Sequence, residues 1–559
     1  MPFSYSRTRL AATAAATLAA CAIAPFAHAD NAPAAPAQCD PYKDYSCLDR
    51  YLGDGFWERL SNYYTLEMGQ AGSPNDPSAP PARRDDFPPA AQSTPPMPFT
   101  EWPYGGTTPL GVTRPNSVDS PLMTALANTD FGKAMARNNL QLYGWVDVGA
   151  NMSTSTVAQG GNAPAAYLYN PNSIQLDQAV LYLDRFPDTV QKDHVDWGMR
   201  LSAIYGENYR YTTAFGLMSQ QLLKHNREYG IDFPMLYGEV YIPQVAQGLM
   251  IRAGRFISLP DIEAQLAPNN YMYTHSMTYT FDNYTNTGVQ GSLAVNKNWI
   301  VQLGLTVGTE ATPNHLHQTE ANPYPNVPGT GPGQVGYNPL YPNSRFKVDP
   351  GSMPSLTLCG RWDADDGKTD VNACADAINK GTYGYNNLQW FGLTAYHQFD
   401  EKWHVSFETY HLYERKVPNA LNADVQTIYA HGGAPFSSTF MPYNAPNLAI
   451  CGNASELTCT AGATGAVAYL NYSPNPLDNF SIRPEMYWDP QGQRTGTATH
   501  YTNLAFGWQH WFSPQIEVRP EIAYYRSHGA AAFNGNSNAG IAPNKSYETI
   551  VSGDVIFHF

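Results

Sequence analysis

From about Asn138 to the last residue, polar and apolar side chains alternate in runs of roughly ten, broken by turn residues. Successive side chains on a strand point to opposite faces, so such runs form strands with one apolar and one polar side. One run is a weak signal. Many in succession fit a wall that meets lipid outside and water inside, and a transmembrane antiparallel β-barrel has that wall. About fourteen strands are predicted, with twelve to sixteen compatible. They lie near 139–152, 174–186, 194–206, 235–243, 248–257, 286–297, 298–309, 385–399, 402–414, 464–473, 478–489, 499–512, 514–527 and 545–559. Asn296-Lys-Asn298, Asp400-Glu-Lys402 and Ser513-Pro-Gln515 read as short turns. Residues 310–384 and 415–463 read as long loops. An even strand count puts both termini in the periplasm.

Composition agrees. Only 14% of the 559 residues are charged, against roughly 25% in ordinary soluble domains. Aromatics reach 13%, with 38 Tyr and 11 Trp, and mean hydropathy is −0.39, too polar for a bundle of membrane helices. Disorder is excluded by the 43% hydrophobic content. The net charge of −15, with no basic patch, argues against nucleic acid as a partner.

Both ends carry export features. Residues 1–29 read as a signal peptide, with Arg7 and Arg9, an apolar stretch Leu10 to Ala24, and Ala27-His-Ala29 as a cleavage site. Leu18-Ala-Ala-Cys21 offers a competing reading, in which Cys21 is lipidated. Losing the two signal arginines takes the charge from −15 to −17. At the other end, Phe559, Phe557, Val555 and Val551 share one face, and His558, Asp554, Ser552 and Glu548 the other. Phe557 and Phe559 resemble the terminal signal read by the barrel-assembly machinery.

Residues 30–137 hold no long alternating run and are rich in proline, so they read as a mostly irregular periplasmic extension, with a short helix at Phe56–Leu60. A partial plug inside the lumen is the alternative. The barrel itself is assigned to residues 138–559.

Six cysteines remain after the signal, and six allow 15 connectivities. They fall in three close pairs, Cys39/Cys47, Cys359/Cys374 and Cys451/Cys459. Local disulfides are expected, the last two each within a long loop. No C-x₂-C spacing points to a metal.

The polar faces give the expected lumen lining. Its charged members are Asp147, Asp184, Asp196, Arg200, Glu239, Arg252, Glu408, Arg483, Glu485, Glu517, Arg519, Glu521, Glu548 and Asp554. Acids outnumber arginines, which favours cations in a pore. Neutralising Arg–Glu pairs that knit the wall are the plainer reading for any single pair. The element Arg-Pro-Glu occurs twice, at Arg483–Glu485 and Arg519–Glu521, and predicts a bulge at each proline. After the fifth strand, Ser258-Leu-Pro-Asp261 looks like a helix start that runs to Pro268. By analogy with general porins, whose third loop folds inward, Asp261, Glu263 and Gln265 would form a constriction opposite Arg200 and Arg252. A surface cap is the alternative. A second helical segment is expected within Thr212–Tyr229.

Several stretches carry a family resemblance: Pro98-Phe-Thr-Glu-Trp-Pro-Tyr-Gly-Gly106, Tyr143-Gly-Trp-Val146, Asp196-Trp-Gly-Met-Arg-Leu201, Arg252-Ala-Gly-Arg-Phe256, Ala267-Pro-Asn-Asn270 and the Arg-Pro-Glu strands. From about residue 95 onward the chain resembles the OmpL-like β-barrel porin family. The resemblance implies an outer-membrane channel and assigns no catalytic residue.

No enzyme signature stands out. His315/His317 and His404/His411 do not make a convergent ligand set in the sequence. The reading is therefore an outer-membrane porin for passive diffusion of small hydrophilic solutes, weakly cation-selective, with no cofactor. Its partners are membrane lipid, the assembly machinery and the solutes, with a homotrimer by analogy. The rival is a surface-binding, adhesin-type barrel with disulfide-tied loops.

Overall fold

The computed structural model describes residues 48–68, 120–313, 331–334, 352–380, 388–428 and 448–559, less positions 166, 190, 215, 216, 224, 258–260, 476, 514 and 537–539. Sixteen staves form one closed antiparallel barrel. They are β1 (Gln141–Ser153), β2 (Ile174–Arg185), β3 (Asp196–Gly206), β4 (Gly230–Asp232 with Leu236–Ile242), β5 (Leu249–Ile257), β6 (Thr285–Ala294), β7 (Trp299–Thr309) and β8 (Ser355–Asp363). The circuit continues with β9 (Thr369–Ile378), β10 (Gln389–Gln398), β11 (Trp403–Pro418), β12 (Thr458–Asn475), β13 (Asp478–Asp489), β14 (Thr499–Ser513), β15 (Ile516–Val518 with Glu521–Ser527) and β16 (Tyr547–His558). Each pairs with its sequence neighbour, and β16 closes onto β1 through Trp145↔His558 to Ser153↔Ile550. Closure leaves no strand edge unpaired, which lipid requires.

Prolines account for the two divided staves. A proline has no N–H to give the ladder. β4 breaks around Pro234, where Met235 N donates to Ser202 Oγ at 3.0 Å. β15 breaks at Arg519–Pro520, where Arg519 N reaches Asp554 O at 3.2 Å. At the other Arg-Pro-Glu element β13 stays continuous, and only its pairing with β12 lapses at Arg483 and Pro484.

All fourteen predicted strands are present, and β8 and β9 are added from the segment read as a long loop. Cys359 and Cys374 are therefore not loop residues. They face each other across the β8–β9 pair, point inward and are bonded. Cys451–Cys459 ties the segment before β12 to its first residues. Cys21, Cys39 and Cys47 lie outside the described residues.

The outward faces are apolar, with Leu303, Leu358, Leu504, Ile522 and Val551 exposed at mid-strand. Trp197, Trp299, Phe399, Trp403 and Phe512 sit at the short-turn end, and Tyr205, Trp488, Tyr524 and Tyr547 at the long-loop end. Two aromatic girdles around an apolar band are the signature of a membrane-spanning barrel.

The described part of the N-terminal extension is helical, in contrast to the irregular expectation: α1 (Leu48–Leu52), α2 (Phe56–Met68), α3 (Pro121–Leu126) and α4 (Asp130–Arg137). Only the start of α2 was legible. Buried Arg59 organises the group, donating to Thr124 O and Gly53 O (each 2.8 Å) and pairing with Asp49. Ser120 caps α3, accepting from Met123 N, and donates to Leu142 O. Tyr64 Oη donates to His558 O at 2.5 Å, so the helices attach at the short-turn end of β1 and β16.

Candidate functional site

The segment between β5 and β6 turns into the barrel, and nearly all of residues 261–284 are buried there. The expected helix does not form. Positions 258–260 lie outside the described residues, 261–266 carry no helix, and a 3₁₀ turn at Ala267–Asn269 contains Pro268. Asn270 explains this. Its Oδ1 accepts from Ala264 N (2.7 Å), and its Nδ2 donates to Ala264 O (2.6 Å) and Leu266 O (2.9 Å). A side-chain amide thus supplies the bonds that helix backbone would otherwise make. In the preceding long loop an α-helical turn, α5 (Gln220–Leu223), falls within Thr212–Tyr229 as predicted, with His225 and Arg227 exposed. A second, α6 (Met277–Thr280), lies in the inward loop itself.

Wall residues hold the loop on several sides. From β2, Gln178 Nε2 donates to Gln265 O at 2.7 Å, and Asp177 accepts from Tyr273 Oη at 2.8 Å. From β11, Glu408 accepts from Ile262 N at 2.9 Å. From β13, Arg483 pairs with Glu263 at 3.2 Å, and Glu485 accepts from Thr278 N and Oγ1. From β15, Arg519 donates to Asn270 O at 3.1 Å, and Glu521 accepts from Thr274 N at 2.9 Å. Asp376 on β9 accepts from Asn283 Nδ2 at 2.7 Å. A stack of Tyr211, Tyr167 and His275, with ring centroids 4.1 and 3.7 Å apart, joins the loop to the two long loops before it. Burial keeps His275 neutral, its pKa pushed down to about 3. Burial raises the carboxyl of Asp261 to about 8, and Asp282 is also raised, by burial and then by Asp261.

The expected residues divide as follows. Asp261, Glu263 and Gln265 are all inside the barrel and buried. Arg200 and Arg252 are not their counterparts: Arg200 pairs with Asp184 and Arg252 with Glu239, each at 2.8 Å on an adjacent strand. The register puts those carboxylates directly beside them, Asp184↔Arg200 and Glu239↔Arg252. The arginines that meet the loop are Arg483, Arg519 and Arg494. Asp147, Glu239, Glu408, Arg483, Glu485, Glu517, Arg519, Glu521 and Asp554 all face inward and are buried. Asp196 belongs to the rim instead, bound to Arg185 at 3.0 Å and to Asp188 N at 2.8 Å at the short-turn end. His404 faces inward and His411 outward, while His315 and His317 lie outside the described residues.

Asp177, Asp282, Asp376 and Arg494 also touch or belong to the site, and sequence reading passed them over. Asp177 sits beside a register shift between β1 and β2, which breaks the alternation that would have exposed it. Among the described residues, twenty Asp and Glu are buried within the barrel against eight arginines and no lysine.

A closed sixteen-strand barrel, apolar outside, acidic inside and crossed by its own loop, is the architecture of an outer-membrane porin. The chain belongs to the family described as "Putative beta-barrel porin-2, OmpL-like", which matches residues 139–559. Among solved structures it is similar to an anion-selective porin from Comamonas acidovorans (9% identity, 75% of this chain and 99% of that chain, TM-score 0.45). It is also similar to the outer membrane channel DcaP of Acinetobacter baumannii (8% identity, 75% and 97%, TM-score 0.42). Comparison with curated protein sequences gives no match.

Proposed function

We propose that this porin carries small hydrophilic solutes and ions by passive diffusion, with a weak preference for cations, and that its inward loop sets the size limit. One observation carries the reading: the excess of buried acids over arginines in the barrel, which surrounds a loop that crosses it. Within a low-dielectric wall such an excess focuses a negative potential on the path. Asp261, Glu263 and Gln265 are the loop side chains assigned to the narrow zone, with Arg483 and Arg519 as their cationic neighbours. The short turns, both termini and the helical extension are assigned to the periplasm and the long loops to the outside. Phe557 and Phe559 are assigned to assembly, and passive diffusion requires no catalytic group.

Liposome swelling tests this. Proteoliposomes of the refolded mature chain should admit a small amino sugar faster than a neutral sugar of equal size, and that faster than a sugar acid. Rates that ignore charge would remove the cation preference. Tight, impermeable proteoliposomes from folded barrels would favour the surface-binding reading.

A further inference from the structure

Three carboxylates converge where the inward loop meets β11. One oxygen from each of Asp261, Asp282 and Glu408 lies within 4.8 Å of the other two. Asp261 and Asp282 enter and leave the loop, and Glu408 stands on the wall, so the trio ties both arms of the loop to one strand. All three are nine-tenths or more buried. Asp261 and Asp282 meet each other, and four of the six oxygens, Asp261 Oδ1, both oxygens of Asp282, and Glu408 Oε1, accept no hydrogen bond from any group outside the trio. Buried carboxylate oxygens are ordinarily satisfied, and leaving several bare beside like charges is costly. The cation facing Asp282 is Arg494, and its guanidinium is engaged by the carbonyl oxygens of Phe281 (2.9 Å) and Asp282 (3.2 Å). Glu263, also near Asp261, is matched by Arg483. The trio thus has a deficit of positive charge and a set of converging oxygens that no group outside it satisfies.

We propose that Asp261, Asp282 and Glu408 bind one divalent cation, which fastens the loop to β11. The donors are all oxygen, with no thiol or imidazole, which selects a hard ion. Calcium–oxygen distances of about 2.3–2.6 Å let ligand atoms stand up to roughly 5 Å apart around one ion, which accommodates the spacing seen here. Magnesium, smaller and strictly octahedral, fits a three-carboxylate set less well. Water and main-chain carbonyls complete the shell. Asp261 is also one of the side chains assigned to the narrow zone, but the cation site rests on the geometry of the trio and not on solute passage.

The test is calorimetric titration of calcium chloride into the refolded, EDTA-treated mature chain at pH 7.5, with magnesium as competitor. Asp282→Asn and Glu408→Gln are compared with the native chain, each verified as folded by heat-modifiable mobility. The native chain should bind one more calcium than either variant, or bind it at least about tenfold more tightly, and magnesium should compete weakly. Calcium should also protect loop backbone amides from hydrogen exchange in the native chain alone. Equal stoichiometry and affinity in all three proteins would overturn the proposal. So would a native trio that only loses a proton on raising pH and takes up no calcium, since it would then be a proton-sharing cluster.

Discussion

Arg483 Nη1 stands 3.2 Å from Glu263 Oε1, joining wall strand β13 to the loop that crosses the lumen. The same guanidinium reaches Glu521 on β15 at 3.4 Å, over the intervening β14. It can do so because the residue beside it on β14 is Ala505, itself opposite Ala523. The two Arg-Pro-Glu elements are therefore linked, through the arginine of one and the glutamate of the other.

Arg483→Gln should release the loop without unfolding the barrel. It leaves Glu263 and Glu521 buried without their cation, a loss of about 3–5 kcal/mol where water cannot enter. Hydrogen exchange should rise across residues 262–276, while β13 and β15 stay protected. Unchanged loop protection would contradict the pinning role.

Asn270→Ala should loosen the turn at 264–270, since three hydrogen bonds from one side chain vanish. The expected loss is about 1–3 kcal/mol of local stability, because Ala264 N loses its partner in a buried place, while Ala264 O keeps the His275 ring and Leu266 O keeps Asn269 N. Asn270→Asp should cost at least as much, since a carboxylate oxygen would then face the Ala264 and Leu266 carbonyl oxygens. Site-resolved exchange at Ala264 reads the difference.

The sequence showed the barrel clearly but the site only partly. Strands such as β7, β13 and β14 alternate large apolar with polar residues and were plain. β8 and β9 were hidden because their outward positions include Gly360, Ala373 and Ala375, too small to mark a lipid face, and because a close cysteine pair suggested a loop. The spacing of Cys359 and Cys374 around a five-residue turn, 364–368, is the hairpin signal that could have revealed them. That a loop after the fifth strand folds inward was anticipated. Its partners were not, because they depend on register and on small neighbours such as Ala505. Asp282 carries no motif, and only the fold brings it to Asp261.

Glu207, in the turn after β3, should give the barrel a pH-dependent weakness. Burial raises its pKa from 4.5 to about 8, partly offset by Arg210 at 3.7 Å. A raised acid contributes stability that is complete below about 4.5 and lost as pH rises through about 8. Native stability should therefore fall across that window, and Glu207→Gln should flatten the fall. Parallel denaturation profiles for the two proteins from pH 5 to 9 would contradict this.

Reducing Cys359–Cys374 should matter less than its burial suggests. The two strands are already paired on both sides of the bond. The 15-residue separation sets a loop-entropy contribution of about 3 kcal/mol as an upper figure. Replacing both cysteines by alanine should lower unfolding stability by no more than that in denaturant titration, and slow refolding more than it speeds unfolding. Failure to form a heat-modifiable barrel would show the bond to be essential.

The acidic interior is the central claim, and the reversal potential of single channels across a planar bilayer under a KCl gradient tests it most directly. The account predicts discrete conductance steps with a reversal potential of the sign set by faster potassium flux, diminished in Glu263→Gln. A reversal potential of the opposite sign, from verified folded barrels, would contradict it.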